Sequence, residues 1–373
     1  MAPFRIVIVG GGIAGFTAAI ALRGPNRHIT ILEQSALNKE IGALISLQPN
    51  ASRIVESTWN MSEGLSEARQ MVDEGFRIYN TEGHLVNTVP LLTKEKYGAE
   101  RLLFHRRDLH EALKRAAISP TRAGDPAIVR VSSRVVGCDA LKGIVTLESG
   151  ETVEGDLIVG ADGIHSVLRK YVLEEAISPM PTGHSETLEK EEPEFCAKIN
   201  PQEPFTSMIV AHNCRLIMGP GRQGEVYGIV ALVPDETFSH SITHSADLGL
   251  WQLRDLDPLQ TWHRGRVLII GDAAHAMLPT QGQGASQAIE DSEALGAFFE
   301  EIIEPPSLEV LTKALEDIFQ TRYARACLIQ AYSRQGAKPA TAHENGAVTM
   351  KPDEFMDFNC RYYGAKEWNE PRE

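Results

Sequence analysis

Several short stretches of this chain combine glycines with acids at spacings that suit a bound ligand. Gly10-Gly11-Gly12-Ile13-Ala14-Gly15 is followed by Glu33, eighteen residues beyond the last glycine. In that pattern Gly10 makes a tight turn, Gly12 admits a pyrophosphate to the backbone, Gly15 lets a helix touch a strand, and Glu33 accepts hydrogen bonds from ribose hydroxyls. This is dinucleotide chemistry, and it fits NAD and FAD equally. Residues 266–291 (RVLIIGDAAHAMLPTQGQGASQAIED) hold Gly271-Asp272 and then Pro279, Gly282 and Gly284 ahead of a helix starting at about Ala285. Asp272 can accept bonds from ribityl or ribose hydroxyls. The glycine loop lets backbone approach a flat ligand, and the helix N-terminus offers free N–H groups and partial positive charge. Asp162-Gly163, with Arg169 beyond it, is a further acid-glycine turn ahead of a helix start.

Strands must deliver all of these groups. Residues 4–9 (FRIVIV) are apolar throughout, as in a parallel strand covered on both faces. A small-residue helix (FTAAIALR) follows and stops at Gly24-Pro25, and residues 28–32 form the strand that delivers Glu33. Further strands end at Asp162 and, over residues 267–270, at Gly271-Asp272; the carboxyl ends of strands are where open α/β sheets bind ligands. Residues 40–44, with Gly42 and Ala43, and then 47–51 read as a loop and short strand returning to the ligand. Residues 77–80 and 85–89 read as a hairpin of a second sheet. A helix starts within residues 103–109 and runs to about Ala117, with Asp108 near its first turn and Arg106 or Arg107 able to reach a pyrophosphate oxygen. Residues 129–136 and 144–147 read as strands, and 205–211, 215–218 and 226–232 as three strands of a pocket roof. Helices are expected over 285–301 and 308–332, and the aromatic tail with Tyr362, Tyr363 and Trp368 either wraps back or meets a partner.

At 373 residues the chain suits one large or two modest domains with a real core. A formal charge of -14 opposes binding to nucleic acid or to anionic membrane surfaces. Residues 4–22 are apolar, yet three consecutive glycines make them strand, turn and helix and not a membrane span. The five cysteines are odd in number and lack a C-x-x-C, which suits reduced thiols and a cytoplasmic location. Oligomeric state is left open.

Taken together, Gly10 to Gly15 with Glu33, Asp162-Gly163 with Arg169, and Gly271-Asp272 with Pro279 to Gly284 resemble the signature motifs of single-component (group A) flavoprotein monooxygenases, the para-hydroxybenzoate hydroxylase fold. His105-Arg106-Arg107-Asp108-Leu109 and residues 250–262 (LWQLRDLDPLQTW) are similar to the fungal salicylate-hydroxylase-like branch. The resemblance implies FAD held by Glu33, Arg106 and Asp272, and an Asp162-Gly163 turn serving both FAD and NADPH (or NADH) as co-substrate. It implies an α/β fold: a Rossmann-like FAD-binding domain (residues 1–75, 101–172 and 251–335) with an inserted, shortened β-sheet substrate domain (hairpin 76–100 and residues 173–250), C-terminal helices, and a tail from 336 to 373. The shortening is read from the acidic run 186–194 (ETLEKEEPE), standing where an arginine-bearing strand is expected, and from the short segment 236–249.

The function expected is hydroxylation of a small aromatic or polyketide-like phenol with NADPH and O2. Pro279 and Gly282 would lie under the flavin ring, and the helix N-terminus after Gly284 would stabilise negative charge on it. Tyr227, His212 and Arg215 are the polar candidates on the roof, and a base or hydrogen-bond partner among them would make a phenol more nucleophilic. Two alternatives stand beside this: an epoxidase of the same fold acting on a polyketide or terpenoid, and a flavin-binding accessory protein without hydroxylase activity.

Overall fold

The computed structural model describes residues 2–36, 44–189, 203–210, 214–234, 249–337 and 349–368. Gly42, Ala43, His212 and residues 235–248 lie outside them. The central strand, Phe4–Val9, pairs in parallel with Arg27–Leu32 on one side and Leu157–Gly160 on the other. Val267–Ile269 extends the sheet in parallel beyond Leu157–Gly160, and His263–Arg264 and Ile128–Arg130 close its edges. Phe4, Ile6, Val7, Ile8 and Val9 are all buried, which is why no apolar alternation shows in their sequence. Helix α1 (Ile13–Leu22), α2 (Arg106–Ile118) and α3 (Gly284–Phe299) pack about this sheet. Small residues let α1 and α3 come close: a Cβ on Gly296 would stand 3.1 Å from the carbonyl oxygen of Ala21, and Thr17 Oγ1 lies 2.8 Å from Ser292 Oγ.

A second sheet carries seven strands in the order Gly249–Asp255, Met180–Glu189, Val226–Pro234, Arg215–Gly221, Phe205–Val210, Gly75–Tyr79 and Leu85–Pro90. The expected hairpin forms its edge. Residues 186–189, whose acidity suggested a break, are strand: they pair with Ile229–Leu232 on one side and, through Glu186–Leu188, with Gly249–Trp251 on the other. Backbone pairing is indifferent to side-chain charge when the neighbouring strands supply the ladder, so composition misled here.

Other boundaries also move. Residues 102–105 are a strand and the helix begins only at Arg106, because Leu102–His105 pairs with Leu44–Leu47 and Met71–Val72 in a small three-stranded sheet. The strand expected over 129–136 is two, Ile128–Arg130 and Val135–Asp139, broken where Ser132 adopts φ +51. The last long helix, α4 (Leu308–Ala337), is longer than expected. The tail wraps back: α5 (Pro352–Cys360) and the residues after it place Tyr362 fully inside the core. Arg325 lies within 5.0 Å of the ring centres of Phe358, Tyr362 and Trp368.

The seven-stranded sheet meets the small three-stranded sheet over Leu44. Gly219 and Gly228 are directly paired across strands, and the missing Cβ atoms of Gly219, Gly221 and Gly228 all point at that side chain, the closest standing 2.5 Å from Leu44 Cγ. A glycine notch thus seats the sheet on the cofactor domain. Gly228→Ala is expected to cost about 1–3 kcal/mol by overpacking. Thermal unfolding should show the Gly228→Ala, Leu44→Ala double variant to be less destabilised than the sum of the single changes.

Candidate active site

The glycine loop after Phe4–Val9 divides into glycines required by the fold and one that is not. A Cβ on Gly15 would stand 1.9 Å from Gly10 O, and one on Gly10, at φ +107, would stand 2.2 Å from Ala161 O. Gly12, by contrast, has no heavy atom within 4 Å of where its Cβ would be, and Gly284 at the start of α3 has none either. Two helix N-termini therefore present bare backbone to open space, as a pyrophosphate and a flat ring system require.

Glu33 stands at the end of Arg27–Leu32 and accepts the Gly11 N–H at 2.7 Å on one oxygen and the Ser35 N–H at 2.7 Å on the other. Each carboxylate oxygen keeps a lone pair for a ribose hydroxyl. His110 on α2 supports the loop from behind, its Nε2 lying 2.7 Å from Gly11 O. Arg106, the first residue of α2, is exposed and has no hydrogen-bond or ion-pair partner among the described residues. Asp272 is likewise exposed, and its carboxylate accepts no hydrogen bond from the described residues.

Asp162 is placed differently. Its Oδ1 accepts the Ser166 hydroxyl at 2.6 Å, and its Oδ2 accepts the backbone N–H groups of Val167 and Leu168 at 2.7 and 3.1 Å. Desolvation pushes this carboxyl above its ordinary range, against the pull of those bonds. It shapes the turn, while Gly163, at φ +75, leaves the surface of the turn open. Arg169 is buried without a carboxylate partner and donates to Ala273 O at 2.8 Å, Ile164 O at 3.0 Å and Asp272 O at 3.1 Å. The acid-glycine turn and the Gly271-Asp272 turn are thereby held together by one guanidinium, whose pKa burial lowers.

Beneath Asp272 lies a buried ionic cluster. Asp291 Oδ2 accepts the Gly271 N–H at 2.9 Å and a bond from His275 Nε2 at 2.6 Å, and Oδ1 accepts Arg322 Nε at 3.0 Å. Desolvation alone would raise the Asp291 carboxyl, but His275 and Arg322 outweigh it and bring it from 3.8 to about 2.

Pro279 opens a short turn of helix, Pro279–Gln281, and Gly282 closes it at φ +60. A Cβ on Gly282 would lie 3.0 Å from Ser46 Oγ and 3.3 Å from Gln48 Nε2, so the 44–48 strand end runs beside the loop. Ala285 follows in the first turn of α3. Behind Ser46 sits a buried ion pair, Arg101 Nη1 to Asp73 Oδ2 at 2.5 Å, with the Thr206 hydroxyl also donating to Asp73 Oδ2 at 2.6 Å. Neither Arg101 nor Asp73 was picked out from sequence. Their partners are 28 and 133 residues away in the chain, and no local spacing marks them.

The roof candidates separate. Tyr227 is buried, but it alternates with Gly228, which faces Leu44, so its side chain leaves the opposite face of the sheet. Arg215 shares the Leu44-facing side with Gly219 and stands four residues along the strand, about 14 Å away. It is half-buried, and desolvation lowers its pKa.

Fold and geometry together define a dinucleotide-binding protein. An FAD binding domain family matches residues 245–306. Hispidin-3-hydroxylase of Neonothopanus nambi is 29% identical over 88% of this chain and 88% of its own. 3-Hydroxybenzoate 6-hydroxylase 1 of Aquipseudomonas alcaligenes is 30% identical over 97% of this chain and 98% of its own. A salicylate hydroxylase solved with substrate has the same fold, with a TM-score of 0.76 at 22% identity over 98% of this chain and 97% of that one. The chain belongs to the FAD-dependent monooxygenases, and FAD is its cofactor.

Gly12→Ala should cost the flavin-free protein no more than about 1 kcal/mol, the difference between the two residues at an N-cap, because the site is otherwise open. Fluorescence titration should nevertheless show FAD binding at least about tenfold weaker, a loss of roughly 1.4 kcal/mol. Gly15→Ala should unfold the nucleotide-binding unit outright.

The Asp291 carboxyl is lower in the folded chain than in the unfolded one. Its contribution, roughly 2 kcal/mol, is present above about pH 4 and is lost as pH falls through about 2. Denaturant melts across that window should steepen with acidity in the native protein and flatten in Asp291→Asn.

Proposed function

We propose that this monooxygenase hydroxylates a small phenol, aromatic or polyketide-like, using O2 and NADPH or NADH. The observation that carries the reading is the seating of the seven-stranded sheet on the cofactor domain at Leu44, beside the Gly282 loop. That arrangement sets the seven-stranded sheet against the strand that runs beside the Gly282 loop, where a flavin ring would meet backbone. The names of the two hydroxylase relatives, one for hispidin and one for 3-hydroxybenzoate, support a phenolic substrate.

The residues present fit FAD. Glu33 is placed for the ribose hydroxyls, Arg106 and the Gly12 backbone for the pyrophosphate, and Asp272 for the ribityl chain. Pro279, Gly282, Gly284 and Ala285 would lie against the ring, and the N-terminus of α3 would favour negative charge there. Asp162 keeps its turn in shape so that Gly163 stays open. When bound, FAD supplies the activation of O2 and the transfer of one oxygen atom to an electron-rich carbon, after reduction by the nicotinamide.

The chain's own task is to exclude water, orient the ring and hold charge. Arg215, half-buried on the Leu44-facing side, is the group suited to an acidic substituent of the substrate, since a guanidinium drawn from water gains by meeting an anion. Ser46 and Gln48, beside Gly282, replace Tyr227 as hydrogen-bond partners for a phenol, because Tyr227 faces away. His212 lies outside the described residues and keeps only its sequence-based candidacy. Epoxidation on the same site would show NAD(P)H-linked O2 uptake with a non-aromatic product. An accessory role would show bound flavin that no substrate makes NADPH oxidise.

The test is the rate of flavin bleaching by NADPH or NADH under anaerobic conditions, with a panel of phenols that do and do not carry a carboxylate. Faster bleaching with one class, and a hydroxylated product on admitting O2, is the expected result. For an acidic phenol Arg215→Gln should raise KM by roughly tenfold or more. Absence of stimulation by any phenol would end the hydroxylase reading.

A further inference from the structure

The Gly271-Asp272 turn is held from below by a chain of buried charges that ends in the C-terminal segment. Asp291 receives the Gly271 N–H, His275 and Arg322. Arg322 also pairs with Glu290 Oε2 and donates to Gln287 Oε1 at 2.7 Å. Arg325 donates to both Glu290 oxygens, at 2.7 Å each, and then to the carbonyls of Phe358 and Asn359 at 2.8 Å. Tyr362 closes the far side, its hydroxyl donating to Glu293 Oε2 at 2.7 Å, with the Ala365 N–H on the same oxygen at 2.9 Å. The side chains of Asp291, Glu290, Arg322 and Arg325 are fully out of solvent.

We propose that Asp291 is a positioning residue for Asp272, and that the C-terminal segment 352–368 is part of the cofactor site because it fixes the arginines that hold Asp291 in place. Gly271 sits at φ +57, with its absent Cβ 3.1 Å from Ala14 Cβ and 3.3 Å from Ala288 Cβ. The turn therefore cannot relax by packing more closely, and its hydrogen bond to Asp291 sets the direction in which the next residue leaves. Asp272 itself makes no bond among the described residues that would orient its carboxylate. Its backbone carbonyl accepts a bond from Arg169. Removing the Asp291 acceptor would leave a buried Gly271 N–H unmet and let the turn move, with no loss of any group that touches FAD. Arg325, through the Phe358 and Asn359 carbonyls, and Tyr362, whose ring lies against Arg322 and Arg325, connect the tail to this relay, so the tail, far along the chain, acts on the same carboxylate.

The inference rests on Asp272 being an FAD contact and not on the identity of the substrate. It is tested on the full chain by FAD dissociation constants for Asp272→Ala, Asp291→Ala and the double variant, with circular dichroism as a check of folding. Each single change should weaken FAD binding by about tenfold or more. The double variant should bind no worse than Asp272→Ala alone, since a residue acting only through Asp272 has nothing left to position. In the flavin-free protein, hydrogen exchange at the Gly271 amide should quicken in Asp291→Ala, which removes the acceptor, and also in Tyr362→Leu, which removes the ring lying against Arg322 and Arg325. Multiplying effects in the double variant would overturn the proposal, as would unchanged FAD affinity in Asp272→Ala. An unaltered Gly271 exchange rate in Tyr362→Leu would remove the C-terminal segment from it.

Discussion

Two adjacent carboxylates on α3, Glu290 and Asp291, lie inside the protein with no water to solvate them. Such charges persist only if cations and hydrogen-bond donors surround them, and removing one partner of a buried pair costs about 3–5 kcal/mol. Arg322 and Arg325 on α4, His275 after the Gly271 turn, Asn50 and the Gly271 amide all converge on this pair. The cluster thus dictates where α4 lies against α3, where the Gly271-Asp272 turn lies against both, and why the C-terminal segment must fold back to cover Arg325. An apolar core could have been equally stable, but it would not have fixed a hydrogen-bonded direction for the turn.

Around that constraint, absent side chains do two different jobs. At Gly10 and Gly15 any Cβ would strike backbone, so these glycines are demanded by the fold itself. At Gly12 and Gly284 a Cβ would meet nothing, so the protein alone gives no steric reason for glycine; a ligand in van der Waals contact gives one. A third set, Gly219, Gly221 and Gly228, seats one sheet on another through Leu44. The same residue type thereby builds the turn after the first strand, leaves backbone open at two helix starts and docks the seven-stranded sheet.

The nucleotide-binding half was legible because its signals are local. A strand, a glycine turn, a helix and an acid lie within about thirty residues and carry their chemistry in their spacing. The substrate sheet was harder to read. Its strand Met180–Glu189 is acidic, and its place is decided by pairing with Val226–Pro234, about forty residues on, and with Gly249–Asp255, more than sixty on. The start of α2 was misplaced by a few residues for the same reason: a strand partner at Leu44–Leu47 claims residues 102–105 before the helix can.

The sequence by itself determined the cofactor class and the backbone that meets it, since glycine spacing and a strand-end acid act over distances the local chain controls. It also nominated Tyr227 and Arg215 by residue type alone. Only the tertiary structure decided which of them faces the flavin loop, because alternation along Val226–Pro234 and the register between Pro220 and Tyr227 set the face of every side chain there. It alone brought Asp73 to Arg101, and Asp291 to Gly271 and Arg322. Those contacts join residues that the chain keeps far apart, and burial, which turns each into a strong interaction, exists only once the whole fold has closed.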